Sequence, residues 1–200
     1  MPSLYHFQDC PFCLRVRIYL AERALPYTSV RCDRAALPPE LPALHPLGRL
    51  PVWLDDAGRP IFGALTIIGY LAATVPGDTL WPTTPLAQAR LQMAEELVTT
   101  GLLQPMMRLS ELQAPPPELW DIAAQKREMA VVRRTLAAFA DILGERPWLL
   151  GDRLTVADLL LAQPLTILER FGLDLTSAPG LQDLAQRLAQ RPSVVAARAA

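Results

Sequence analysis

Histidine is scarce in this chain, two among 200 residues, and cysteine is little commoner at three. Those numbers narrow the chemistry. Cys32, His6 and His45 lie scattered, with no second Cys-x-x-Cys and no paired histidines at ligand spacing, so no metal site is expected. An odd cysteine count without an export signal speaks against a disulfide framework and for a free or catalytic thiol. The opening residues, MPSLYHFQDC, lack the basic start and the run of about 7 to 15 apolar residues that make a signal peptide. No apolar run reaches the roughly 18 residues that span a bilayer. Net charge is nearly absent: 19 Lys and Arg stand against 20 Asp and Glu, and no basic cluster offers itself to a phosphate backbone. The expectation is a soluble, cytoplasmic protein with neither a membrane nor a nucleic acid as partner.

Apolar residues, in contrast, make up 51% of the chain, enough for one large core or two small ones. Ser3 to Phe7 reads as a short strand. CPFCLRVRIYLAERAL then places Phe12, Val16, Leu20 and Ala24 at intervals of four, one face of a helix whose first turn holds Pro11, where a missing N–H is harmless. PYTSVRC reads as a second strand and LPPELPALHPLG as an irregular or short helical link. LPVWLDD, a turn at Ala57-Gly58 and RPIF make a β-hairpin, followed by a helix over ALTIIGYLAATV. The order is β-α-β-(α)-β-β-α, an α/β domain over residues 1–76.

After Pro76 the pattern changes. PGDTLWPTTP, residues 76–85, is rich in proline and threonine and marks a linker over 77–85, and residues 86–200 read as an all-α domain. One helix is expected from Leu86 to Leu112 with a kink at Pro105, a second from Glu118 to Gly144, and a third opening within GDRLTVADLLLAQPL. There Thr155 is an N-cap answered by Asp158 in the manner of a capping box, with Leu154 and Leu159 spaced as a hydrophobic staple. The last expected helix runs from Leu181 to Ala189 and ends before Pro192.

The chemistry gathers at Cys10-Pro11-Phe12-Cys13. The spacing alone fits a redox pair, half of a metal site, or two core thiols. At the start of a helix, free N–H groups and the helix dipole favour a thiolate, which makes Cys10 the nucleophile candidate. Lowering its pKa from about 8.5 to about 6.5 requires roughly 2.7 kcal/mol, within the reach of a helix N-terminus and neighbouring cations. Cys13 stands within reach of a mixed disulfide on Cys10 and is read either as the resolving thiol or as a small core residue.

CPFC at the first helix, LGRLPV before the third strand and GDRLTVADLLLA opening a late helix, in a chain of this length, resemble the cytosolic glutathione transferases over nearly the whole sequence. CPFC is closest to their cysteine-type members and to glutaredoxins, while RVRIYLAERALPY is similar to isomerase-type members. The resemblance implies a thioredoxin-like N-terminal domain, an all-helical C-terminal domain, glutathione as co-substrate and a homodimer. It implies that the Leu50-Pro51 bond is cis and that the main chain of Leu50 pairs with the cysteinyl part of glutathione. Phe12 and Arg49 join that glutathione-binding set, Arg49 as a cation for a carboxylate or else a surface residue. Where the family has a Glu-Ser pair at the γ-glutamyl end, this chain has Gly63 and Ala64. Both side-chain ligands are missing, although the N–H of Ala64 at a helix start still meets a carboxylate.

Three readings follow: a glutathione transferase-like enzyme using the Cys10 thiolate for thiol–disulfide exchange or attack on a small electrophile, a non-catalytic transferase-like scaffold, and a glutathione-assisted isomerase. Tyr5 and His6 are weaker candidates, better explained by packing. Met106, Met107 and Trp120 are either substrate-pocket residues or core.

Overall fold

The computed structural model describes residues 1–199 and divides into two compact units, one of Met1–Trp81 with the chain from Gln190 onward, the other of Pro82–Ala189. The first unit is thioredoxin-like. Its elements are β1 (Ser3–His6), α1 (Pro11–Glu22), β2 (Thr28–Arg31), α2 (Leu41–Leu44), β3 (Val52–Leu54), β4 (Pro60–Phe62) and α3 (Ala64–Thr74). The mixed sheet has the order β2-β1-β3-β4, with β1 parallel to β2 and the other pairs antiparallel. A parallel pair requires a crossover, and α1 supplies it. Pro11 occupies the first turn of α1 as its fixed φ favours. From Cys13 to Leu20 every residue of α1 is buried, because α3 and α9 (Pro192–Ala199) both pack on it. Ala24, expected on the helix face, is exposed and takes a left-handed φ of 48° just past the helix end.

In the hairpin turn the Asp55 carboxylate accepts from the N–H groups of Ala57 (3.0 Å) and Arg59 (2.9 Å), from Arg59 Nε (2.7 Å) and from Tyr70 Oη (3.1 Å). With the Arg59 guanidinium as the chief cause, its pKa falls to about 2.

The second unit is all helical: α4 (Pro85–Glu96), α5 (Gln104–Leu112), α6 (Ile122–Leu143), α7 (Val156–Thr166) and α8 (Pro179–Ala189), with short 3-10 turns at Pro117–Leu119 and Leu168–Phe171. The single helix expected over 86–112 is instead α4, a π-helical stretch Leu97–Leu103, and α5. Pro105 is the reason. It has no N–H to offer the Gly101 carbonyl, and its ring would strike that carbonyl in a regular α-turn. The chain widens, and the Gln104 N–H reaches back five residues to the Thr99 carbonyl. The capping box at Thr155 forms: Asp158 Oδ2 accepts from Thr155 N at 2.8 Å and from Thr155 Oγ1 at 3.0 Å, while Oδ1 accepts from Leu149 N at 2.7 Å.

One boundary is corrected. Residues 86–200 were expected to form a single helical domain, but Pro192 does not stop the chain; it opens α9, which belongs to the first unit. Proline in the first turn of a helix starts one as readily as it ends the previous one.

Candidate active site

Strand direction brings the sequence candidates together. β1, β2 and β4 end, and β3 begins, at the same edge of the sheet. In register, His6 faces Arg31, Tyr5 faces Val52, and Val52 faces Phe62. The next residues beyond those pairs are therefore neighbours: the Cys10 turn after β1, the segment Cys32 to Arg34 after β2, Pro51 before β3, and Gly63 after β4. Two helix N-termini, of α1 and α3, open at this edge.

Cys10 is the N-cap of α1, with extended backbone angles (φ −78°, ψ 122°), and is only 8% exposed. Its pKa falls to about 7. The largest cause is donation from the Cys13 side chain; burial opposes it, and the N–H groups of Cys13 and Phe12 and the Arg34 guanidinium add to it. Cys13 is fully buried and its pKa is raised, first by its role as donor to Cys10 and then by burial. The pair is thus asymmetric, one sulfur poised to ionise and the other held as a thiol, and both are free thiols. Phe12 is half-buried and carries the Arg15 guanidinium 5.2 Å from its ring centre.

The Leu50-Pro51 peptide bond is cis. Leu50 is half-buried, Pro51 buried, and Arg49 exposed with no ion pair among the described residues. Gly63, the N-cap of α3, has φ 86° and ψ 127°, a conformation that suits glycine and strains other residues. Ala64 is buried at the first helical position. The N–H groups of the first turn of α3 lack intrahelical acceptors and can meet an anionic group.

The sheet edge also collects residues that the sequence reading passed over. Arg34 pairs with Asp9 at 3.1 Å and lies 4.3 Å from the Phe7 ring centre. With Gln8 and Cys32 these residues border a surface cleft of about 610 Å³. Arg17, within the buried run of α1, donates through Nη1 to Gln8 Oε1 (2.8 Å) and through Nη2 to the Gln8 carbonyl (3.0 Å). Arginine within a run of apolar helix residues, CLRVRIYL, was the available signal.

The remaining candidates have structural partners. His6 is fully buried, its Nε2 2.8 Å from Ser29 Oγ, and burial lowers its pKa. Tyr5 Oη donates to Glu40 Oε1 at 3.2 Å. Cys32 is buried. Met106 is buried, Met107 exposed, and Trp120 Nε1 donates to the Pro115 carbonyl at 2.8 Å. Among the described residues no group of three or more His, Cys, Asp or Glu is placed to hold a metal, and no helix is long and apolar enough to cross a membrane.

Residues 4–79 match the glutathione S-transferase N-terminal domain family and residues 116–192 its C-terminal domain family. The chain is 30% identical over 199 residues to a maleylacetoacetate isomerase of Pseudomonas aeruginosa, covering 96% of this chain and 92% of that one. It is 27% identical to FtsZ-localized protein A of Caulobacter vibrioides, covering 85% and 78%. Among solved structures it is similar to a glutathione S-transferase of Methylobacterium radiotolerans in complex with glutathione sulfonate, at 28% identity and a TM-score of 0.83, covering 98% of this chain and 93% of that one.

Proposed function

This chain belongs to the glutathione S-transferase family, and from that membership we propose that it is a glutathione-dependent isomerase of a small, unsaturated, carboxylate-bearing substrate. The observation that carries this reading is the full-length similarity to a maleylacetoacetate isomerase. A maleyl group is a conjugated cis double bond between carbonyl groups. A glutathione thiolate adds to one alkene carbon, forming a C–S bond and an enolate; the former double bond rotates; the enolate then re-forms the alkene in the trans geometry and expels the same thiolate. Glutathione is regenerated and no electrons are exchanged. The residues proposed to hold it are Phe12, Arg49, the main chain of Leu50 beside Pro51, and the α3 start at Gly63 and Ala64. The N-terminus of α1 at Cys10 stabilises thiolate charge. In this chemistry Cys13 is dispensable.

A second reading is favoured by the asymmetry of the thiol pair. A Cys10 sulfur with a pKa of about 7 beside a protonated Cys13 suits thiol–disulfide exchange, with Cys10 as nucleophile and Cys13 as resolver. One experiment separates the two. Loss of the cis-enedione absorbance of maleylacetoacetate is followed with and without glutathione, in wild type and in Cys13→Ser. Glutathione-dependent turnover that survives Cys13→Ser supports the isomerase. Absence of turnover, together with reduction of a mixed disulfide of glutathione by wild type and not by Cys13→Ser, replaces it with the exchange reading.

A further inference from the structure

Arg17 is 2% exposed, and a buried guanidinium without a counter-charge costs several kcal/mol. Its hydrogen bonds both go to Gln8, one to a neutral side-chain oxygen and one to a carbonyl, and its Nε is buried without a hydrogen-bond partner. No carboxylate pairs with it among the described residues. The groups that face it are His6 from β1, Tyr27 before β2, Arg31 from β2, and the two cysteines of its own helix. Among the described residues the packed helices add no acid: α3 carries only Tyr70, which is bonded to Asp55, and α9 brings the exposed Arg198, whose carbonyl accepts from Gln8 Nε2 at 3.4 Å. Two of the facing groups are cationic or become so, one is a tyrosine, and what remains able to carry negative charge near neutrality is sulfur.

Helical spacing places that sulfur correctly. Cys13 lies four residues before Arg17 on one face of α1, and Cys10, the N-cap just ahead of that helix, accepts from the Cys13 side chain. We infer that Arg17 is a positioning residue: its buried guanidinium and the Cys10 thiolate are each other's counter-charge, acting through Cys13. Arg17 fixes the Cys10 turn by its two bonds to Gln8, and its field favours the ionised sulfur that Cys13 then donates to. Arg34 assists from the outside, but it is 59% exposed and already paired with Asp9, so solvent screens it; Arg17 is not screened. The inference rests on Cys10 being the thiolate of the site.

The test is the pH dependence of iodoacetamide alkylation of Cys10, followed by mass on the Cys10 peptide, in wild type, Arg17→Met, Arg17→Lys and Gln8→Glu, with circular dichroism to establish folding. Wild type should titrate near 7. In Arg17→Met the midpoint should rise by about one unit, an about fivefold fall in alkylation rate at pH 7, and Arg17→Lys should restore it. Gln8→Glu, which gives Arg17 a carboxylate to pair with, should raise the midpoint in the same direction without removing the arginine. A midpoint that stays near 7 in folded Arg17→Met overturns the inference, as does the same result in Gln8→Glu should Arg17→Met not fold. A rise in Arg17→Met that Arg17→Lys fails to reverse reports lost packing rather than lost charge, and overturns it too. Should wild-type Cys10 itself titrate near 8.5, the thiolate reading of the site fails before Arg17 is tested.

Discussion

Gly101, in the π-helical stretch after α4, lies so close to Thr135 of α6 that a Cβ on Gly101 would stand 2.3 Å from Thr135 Oγ1 and 2.7 Å from its Cγ2. The threonine cannot easily turn away, because its hydroxyl donates to the Val131 carbonyl at 2.9 Å. Alanine gains about 1 kcal/mol of helix propensity over glycine, but overpacking a core contact costs about 1 to 3 kcal/mol, so the clash should prevail. Gly101→Ala is expected to lower the urea midpoint, and Thr135→Ala, which removes the two nearest atoms, should relieve part of that loss. If the double change is as damaged as the sum of the singles, the two residues do not meet as described.

Asp158 is fully buried and accepts from Leu149 N, Thr155 N and Thr155 Oγ1. Asp158→Ala leaves those buried donors without acceptors and removes the cap, for a loss of about 2 to 4 kcal/mol in chemical denaturation. Asp158→Asn keeps one acceptor oxygen and should lose less. Equal losses in the two variants would mean that the carboxylate as a whole, its charge and both acceptor oxygens together, sets the cost rather than the number of acceptors kept.

Much of this was legible because the signals were local. Pro11 before a periodic apolar run marks the start of α1, and Thr155 with Asp158 marks the start of α7, through bonds between residues close in sequence. What the sequence concealed depends on distant packing. No helix was expected after Ala189, yet α9 forms, and it is tied to α1 by Glu22, 169 residues before Arg191. The π-helical turn answers Pro105, which is visible in sequence, whereas the close approach of Thr135 to Gly101 within it is not. At the candidate site, Cys10, Pro51 and Gly63 were proposed from their motifs, whereas Arg17 and Gln8 come into view only because α1 buries the arginine beneath the turn.

Glu22 anchors α9. Its carboxylate accepts from Arg191 Nε at 3.2 Å and from Ser193 Oγ at 2.5 Å. Burial opposes its ionisation, but the bonds from Arg191 and Ser193 prevail and its pKa is lowered. A lowered carboxyl contributes stability above its unfolded pKa of about 4.3, lost as pH falls through the lower folded value. Protection of the α9 amides against exchange, relative to the intrinsic rate at each pH, should therefore fall on acidification below about pH 4. In Glu22→Gln it should be lower already at pH 7. Protection in α9 that ignores both changes would show that apolar packing on α1 alone holds the helix.

Cys10 follows the same sign in a more alkaline window. Its pKa of about 7 lies below that of an unfolded thiol, about 8.5, so its ionisation stabilises the fold above pH 8.5 and that contribution disappears as pH falls through 7. The difference corresponds to about 2 kcal/mol at most. Denaturation midpoints of wild type should rise between pH 7 and pH 8.5 relative to Cys10→Ser. Parallel curves for the two proteins would place the Cys10 pKa at its ordinary value in the folded state.

Gly63 and Ala64 stand where the resembled family carries a Glu-Ser pair, and the structure separates what each replacement costs. Restoring serine is cheap: Ala64 sits at the first position of α3 with ordinary helical geometry, and one hydroxyl adds a hydrogen bond worth about 1 kcal/mol, or roughly fivefold in affinity. Restoring glutamate is not. At φ 86° a side chain is strained by about 1 to 3 kcal/mol, and a Cβ there would lie 3.2 Å from Thr66 Oγ1. A charged hydrogen bond to the ligand returns about 1.5 to 3 kcal/mol, but the strain is borne by the free and bound protein alike. Gly63→Glu should therefore tighten glutathione while lowering the stability of the unliganded protein, and Ala64→Ser should tighten it slightly with stability unchanged. Calorimetry with glutathione and urea denaturation without it measure the two quantities separately. If Gly63→Glu leaves glutathione affinity where it was, the start of α3 does not receive the γ-glutamyl group, and the ligand recognised at this sheet edge is held by Leu50 and the Cys10 turn instead.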